Sequence, residues 1–403
     1  MCVTTFDALN LPGYTCSLAD GTPLDASSSP APIIPERRRR RAQALTWEQV
    51  AAGTMLVNGI MRPNAGGRPG LERTLILRAR DSWMPLAHGL DLLFMTSCAA
   101  AGDARSPTWW RPIRPGLPMP LVHWHCFQGQ DRLGVSLWRK TGALLAALHA
   151  MFPHKEYYLK LDSDTLVMPH ALVRFLRALH AADSRGRGRY FGSNRISQKA
   201  LFGLRRGGLL SSNGWLALER SEEARLAANG TGRWAHAPLS AHDRRQLAHS
   251  EARGMAMEER CESAVPSYAQ GGAYGFDRRA LGLLAGGDCL EGAYMALSQH
   301  TGRRSPALFE DEAVGLCMRL YRMRLVTCGC FYDWGPCDIT HPESCRADTN
   351  ESRLCRLPLT VHKLRQVSWF DGWWRMLSNR EAAHLAEVDQ WAPSSARAQG
   401  HSF

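Results

Sequence analysis

The chain has 403 residues, 45% hydrophobic and 21% charged, with a formal net charge of +12. That length and apolar content bury a full core, which excludes a chain disordered throughout. The basic excess is mostly Arg, spread along the sequence without zinc-finger spacing, an RNA-binding signature or a helix-turn-helix pattern, so a nucleic-acid partner is set aside.

In chain order, residues 1–50 carry Ser27 to Ser29, then Pro30, Pro32 and Pro35, then the run Arg37 to Arg41. This is linker composition and predicts a disordered stalk. The first residues show neither a basic n-region nor an apolar h-region, and no window reaches the roughly 18 apolar residues of a spanning helix. Met55 to Ile60 reads as a strand and Arg62 to Gly70 as a Gly/Pro-rich loop. Leu71 to Trp83 follows as a helix, Leu90 to Thr96 and Met119 to His125 as strands, and Leu137 to Met151 as a helix.

The run Tyr157 to Leu161 is short, aromatic and aliphatic with one lysine, as in a buried strand. It ends in two carboxylates, Asp162 and Asp164, followed by Pro169 and a helical pattern at Leu172, Phe175, Leu176 and Leu179. Carboxylates at the carboxyl end of a strand sit where open α/β sheets bind ligands, and they suit a hard divalent cation. The plain alternative is a helix cap or an Asx-turn.

Tyr190 to Ser193 reads as the next strand. The Arg-, Ala- and Ser-rich segment 198–266 is predicted to carry exposed helices over Glu219–Ala228 and Ala241–Met257. Gly271-Gly272-Ala273 follows a short strand led by Tyr268 and precedes a helix from Arg278. Positions without side chains there let backbone approach a ligand, or form an ordinary strand-to-helix turn. Glu310-Asp311-Glu312 opens a helix, where carboxylates are favoured by the dipole in any case.

Of the twelve cysteines, Cys328, Cys330, Cys337, Cys345 and Cys355 crowd into a loop at 328–355. Their irregular spacing fits disulfides better than zinc knuckles and implies an oxidising compartment. The sequons at Asn229 and Asn350 agree with that. Leu359 to Lys363 reads as a strand holding His362; Trp369, Trp373, Met376 and Leu377 share one helix face, and 378–403 reads as a tail. Strand–helix alternation of this kind predicts an α/β fold with a central, mostly parallel sheet flanked by helices.

Five ordered blocks carry a resemblance to the family 31 β1,3-glycosyltransferases, nearest to the core 1 galactosyltransferases and the Fringe N-acetylglucosaminyltransferases. They are Arg80-Asp-Ser-Trp83, Trp138-Arg-Lys-Thr141, Leu159-Lys-Leu-Asp-Ser-Asp-Thr-Leu-Val, Tyr268-Ala-Gln-Gly-Gly-Ala-Tyr274, and Glu310-Asp-Glu-Ala-Val-Gly315-Leu-Cys317. The likeness runs from about residue 51 to residue 365. The departures are a missing glycine before Tyr274, Glu312 where the family has Val, and a much longer segment at 198–266.

The resemblance implies a GT-A nucleotide-sugar transferase domain over 51–377. It implies inverting transfer of galactose or N-acetylglucosamine from a UDP-sugar to a glycoprotein or glycan hydroxyl, forming a β1,3 linkage. Asp311 becomes the expected base and Glu310 the residue that orients it. Asp162, Asp164 and His362 become ligands of Mn2+; a structural histidine is the alternative for His362. Arg78, Arg80, Asp162, Ser163, Gly271, Gly272 and Ala273 are the candidates to face the donor. Tyr274 and Trp369 are the candidates for the acceptor, with core packing the alternative for Trp369. A basic surface suits a nucleotide diphosphate and an anionic membrane nearby. Golgi or secretory lumen is the expected compartment, with membrane association in the full-length protein though this chain shows no anchor. A non-catalytic chaperone or sugar-binding relative of the same fold is the competing reading; retention of Asp162, Asp164 and Asp311 argues against it. Cys289 and Cys317 bracket the Glu310–Asp311 turn and are predicted to be bonded to each other.

Overall fold

The structure is a computed structural model. It describes residues 44–55, 71–97, 110, 119–127, 137–182, 189–196, isolated positions between 217 and 228, 267–301, 310–332 without 322 and 329, and 358–390 without 365. Seven strands form the central sheet: β1 (Val50–Met55), β2 (Asp91–Ser97), β3 (Leu121–Phe127), β4 (Tyr157–Asp162), β6 (Arg189–Ile196), β7 (Ser267–Asp277) and β8 (Arg324–Thr327). Their order is β3-β2-β1-β4-β7-β6-β8. All neighbours pair parallel except those of β7, which runs against β4 and β6. The fold is therefore α/β with a mostly parallel sheet.

Alternate residues of each strand feed two cores, as the two-residue period of a strand requires. Val50, Ala52, Leu92, Phe94, Leu159 and Leu161 join one core with α1 (Leu71–Asp81), α3 (Pro169–Ala182) and α7 (Val367–Gln390). Ala51, Leu93, Met95 and Tyr158 join the other with α2 (Leu137–Met151), α4 (Arg278–Ala285), α5 (Cys289–Thr301) and α6 (Glu310–Leu320). Burial on both faces explains why these strands read as unbroken apolar runs. A second sheet, β5 (Leu166–Val167), β10 (Thr360–Val361) and β9 (Phe331–Tyr332), sits beside the carboxyl end of β4.

Several boundaries differ from the sequence reading. The first strand is Val50–Met55 rather than Met55–Ile60, whose residues after Met55 lie outside the described ones. Its small residues are required by packing: a Cβ on Gly53 would come within 2.8 Å of Leu144 on α2. The fold also begins before residue 50, because Leu45 and Trp47 are buried in the first core. Pro120 directly precedes β3, a position where its missing N–H costs the ladder nothing. Gly271 to Ala273 lie inside β7, not in a turn after it. The tail expected from 378 is helical to Gln390, and buried Glu381 accepts a 2.9 Å bond from Ala171 N in the first turn of α3. Helix starts leave such donors unsatisfied, so this contact ties α7 to α3.

Within the long segment, the described positions Arg220 to Glu222 are helical, as expected for 219–228, but Glu222 is buried rather than exposed. It accepts from Tyr321 Oη at 2.9 Å, Arg225 Nε at 2.9 Å and Asp288 N at 3.1 Å. The segment thus anchors on the entry to α5. The helix expected at 241–257, both sequons and Cys337, Cys345 and Cys355 lie outside the described residues. Cys289 and Cys317 are bonded, with Cα atoms 5.7 Å apart. Cys126 and Cys330 each take part in a disulfide, whereas Cys328 is a buried free thiol, contrary to the expectation for that loop.

Candidate functional site

From β1 the sheet grows one way to β2 and the other way to β4, so the strand order reverses between β1 and β4. A crevice opens at such a point, outside the carboxyl ends of the strands. Met55 ends β1 and pairs with Asp162, the last residue of β4. The chain then turns tightly, with Thr165 N donating to Asp162 O at 3.1 Å, and enters β5. This turn carries Ser163 and Asp164.

His362 reaches the same place through the second sheet. Val361 pairs with Leu166 and Thr360 with Val167, while His362 N donates to Tyr332 O at 2.8 Å. Leu364 N then donates to Asp164 O at 3.2 Å, across a left-handed Lys363 with φ of 62°. A non-glycine residue there is strained and is held by surrounding contacts. The His362 Nε2 atom lies 3.1 Å from Asp162 Oδ2 and 3.2 Å from Asp164 Oδ1. One ligand atom from each of the three residues falls within 4.8 Å of the others. Two carboxylate oxygens and an imidazole nitrogen this close form a donor set that fits manganese or a similar divalent cation.

Lys160, two residues before Asp162, is fully buried. Its Nζ donates to Asp162 Oδ1, to Gly271 O at 2.5 Å and to Glu310 Oε1 at 3.3 Å. Burial pushes the Asp162 carboxyl up, but the Lys160 charge and the His362 hydrogen bond outweigh it and hold the group at about 2. Burial would likewise lower Lys160, yet Asp162 and Glu310 together raise it well above an ordinary lysine. The sequence reading passed over Lys160 as one polar residue in an apolar run. Its signal was there: a lysine is almost never fully buried unless paired.

Glu310 and Asp311 occupy the first turn of α6, and both are buried. Asp311 Oδ2 accepts from Gly271 N at 2.8 Å, and its Oδ1 accepts from Glu312 N at 2.9 Å. Gly271 gives this approach room, since a Cβ would stand 3.2 Å from Asp311 Oδ2 and 3.3 Å from Glu310 Oε1. Gly272 O accepts from Thr165 Oγ1 at 2.8 Å, joining β7 to the Asp162–Asp164 turn. Ala273 is buried and pairs with Leu161. Ser163 Oγ donates to Glu72 Oε1 at 3.0 Å, bringing the start of α1 to the turn.

Arg78 pairs with Asp371 at 3.6 Å, and Arg80 pairs with Asp81 at 2.7 Å and stands over Trp110. Tyr274, expected to meet an acceptor, is fully buried under the site, its ring 5.4 Å from Lys160 Nζ. Trp369 is half-buried against the first core, as the packing alternative has it.

No family model and no curated protein matches this chain. Among solved structures it is similar to UDP-glucose pyrophosphorylase complexed with UDP-glucose, at 12% identity and a TM-score of 0.22. That match spans 38% of this chain and 59% of the other, less than two thirds of its length. A likeness at this level carries no argument about activity, so function is argued from the geometry above. Among the described residues, no helix is long and apolar enough to cross a membrane.

Proposed function

We propose that this chain is a GT-A-fold glycosyltransferase resembling family 31. It would transfer galactose or N-acetylglucosamine from a UDP-sugar to a hydroxyl of a glycoprotein or glycan, forming a β1,3 linkage with inversion. One observation carries the reading. Asp162, Asp164 and His362, the Gly271 backbone and the Glu310–Asp311 turn are linked in one cluster through Lys160 and Gly271, though they come from widely separated parts of the sequence.

Asp162, Asp164 and His362 would hold Mn2+, which when bound supplies positive charge against the diphosphate of the departing UDP. The chain's own residues do the remainder. Gly271 and Gly272 present backbone without side chains beside the carboxylates, leaving room for a sugar ring. Asp311, steered by the Gly271 and Glu312 amides, accepts the proton of the attacking hydroxyl. Glu310 orients the site through Lys160. The Cys289–Cys317 bond supports an oxidising, lumenal compartment.

The test is a screen of UDP-sugars for UDP release by the purified chain, with Mn2+ or with excess EDTA. Release from UDP-galactose or UDP-N-acetylglucosamine that requires Mn2+ and stops in EDTA is expected. Full activity in EDTA would remove the metal assignment. No release from any UDP-sugar with Mn2+ and a glycan acceptor panel would remove the transferase reading.

A further inference from the structure

We infer that Lys160 is a positioning residue that fixes the Asp162 carboxylate for a divalent cation and ties it to the Glu310 carboxylate. This rests on the metal reading above. Side chains alternate along β4, so Lys160 points to the face of Tyr158, toward α6, and so reaches Glu310. An ammonium has three donors and no acceptor. Here each donor has a different target: Asp162 Oδ1 on β4, Gly271 O on β7 and Glu310 Oε1 on α6. The Tyr274 ring closes a further side of the ammonium. The head group is fully buried and so is not itself presented to a ligand. Its influence passes through the groups it holds.

The consequence for Asp162 is directional. With Oδ1 engaged by Lys160, Oδ2 is the oxygen left facing His362 Nε2, next to Asp164 Oδ1. A positive charge beside a cation site has two effects of opposite sign. As a like charge it repels the ion; as a hydrogen-bond donor it holds a ligand in the binding orientation. The repulsion is offset here, because Glu310 neutralises the same ammonium from its other side. Orientation therefore dominates. Without Lys160, Asp162 would be free to rotate, and it and the buried Glu310 carboxylate would be left without the charge between them.

The measurement is Mn2+ titration calorimetry on wild type, Lys160→Met and Lys160→Gln, with a melting temperature for each. Loss of a residue that orients a metal ligand typically weakens binding about 10- to 100-fold, the expected result for Lys160→Met. Lys160→Gln removes the charge but keeps amide donors, and is expected to fall between Met and wild type. If charge repulsion were the main effect, both variants would bind Mn2+ more tightly. Affinity equal to or tighter than wild type, in whichever variant folds, overturns the inference and leaves the metal site standing. No Mn2+ binding by the wild-type chain overturns the metal site itself and the inference with it.

Discussion

Two carboxylate pairs face each other across Gly271, and they are built differently. Asp162 and Asp164 stand on a tight turn after β4; the Asp162 side chain keeps 30% of its surface, with the Lys160 ammonium on one side and the His362 imidazole on the other. Glu310 and Asp311 are the buried first turn of a helix, held by backbone amides and by a helix cross-linked to α5 through Cys317. On the proposed reading, the first pair would gain a ligand that replaces contacts that are mutual. The second is fixed before any ligand arrives, as a base that must meet one hydroxyl requires. A catalytic reading of this chain stands or falls on that contrast.

The sharpest way to break it is Asp311→Asn, which preserves size and helix-capping capacity. If Asp311 is the base, transfer falls about 100- to 10,000-fold while UDP-sugar affinity and melting temperature stay near wild type. Steady-state kinetics alongside calorimetry checks this. Near-normal turnover in Asp311→Asn with an inactive Glu310→Gln would move the base one residue upstream.

Next is the cross-link behind α6. Replacing Cys289 and Cys317 together by Ala is expected to cost about 3–4 kcal/mol of unfolding free energy in the chain-entropy picture, read from denaturant titration. Mn2+ affinity should change far less, because the Lys160 link between Asp162 and Glu310 does not include the disulfide. An equal loss at both would show that the two pairs are one unit.

Gly271→Ala probes the space between them. The added methyl meets Asp311 and Glu310 oxygens at 3.2 and 3.3 Å, so these must shift by a few tenths of an ångström. Since a misplacement of about 1 Å can cost on the order of 100-fold, a several-fold fall in kcat is expected with Mn2+ affinity retained. Unchanged kcat would show that the carboxylates tolerate movement.

The smallest effect concerns acid. Asp162 is held at about 2 in the fold, below its unfolded value near 4, so it adds stability that is complete above about pH 4. That contribution declines as pH falls through 2. Metal-free Asp162→Asn should therefore show a flatter stability curve than wild type between pH 5 and 2, as thermal melts at several pH values would reveal. Parallel curves would show that the ion pair adds nothing.

How much of this could be read from the sequence follows from which residues act locally. The apolar run into Asp162 and Asp164, and the acidic opening of α6, are contiguous signals, and the structure links both through Lys160. Gly271 to Ala273 read equally as a close backbone approach or as a turn, because Gly-Gly before a helix is commonly a turn. The force that selects glycine there is an approach by Asp311, forty residues away in sequence. The first strand was misplaced because Val50-Ala-Ala-Gly-Thr-Met has weak strand preference, and its small side chains answer to α2. Tyr274 lies next to the site in sequence but under it in space, since strand alternation turned its ring to the core. The length of α7 depends on Glu381 meeting α3, a tertiary contact no local pattern records.

The placement of His362 on β10 also orders events during synthesis. Chains emerge from the ribosome amino end first, at about 5–20 residues per second. Asp162 and Asp164 are therefore exposed to cellular ions well before β10 exists. Until Thr360 and Val361 dock beside β5, the nascent site has two oxygen ligands and no imidazole. Oxygen-only sites favour the abundant hard cations, and arrival of the nitrogen shifts the preference toward manganese. On the proposed metal reading, selectivity for manganese would thus be conferred late, when β10 joins β5.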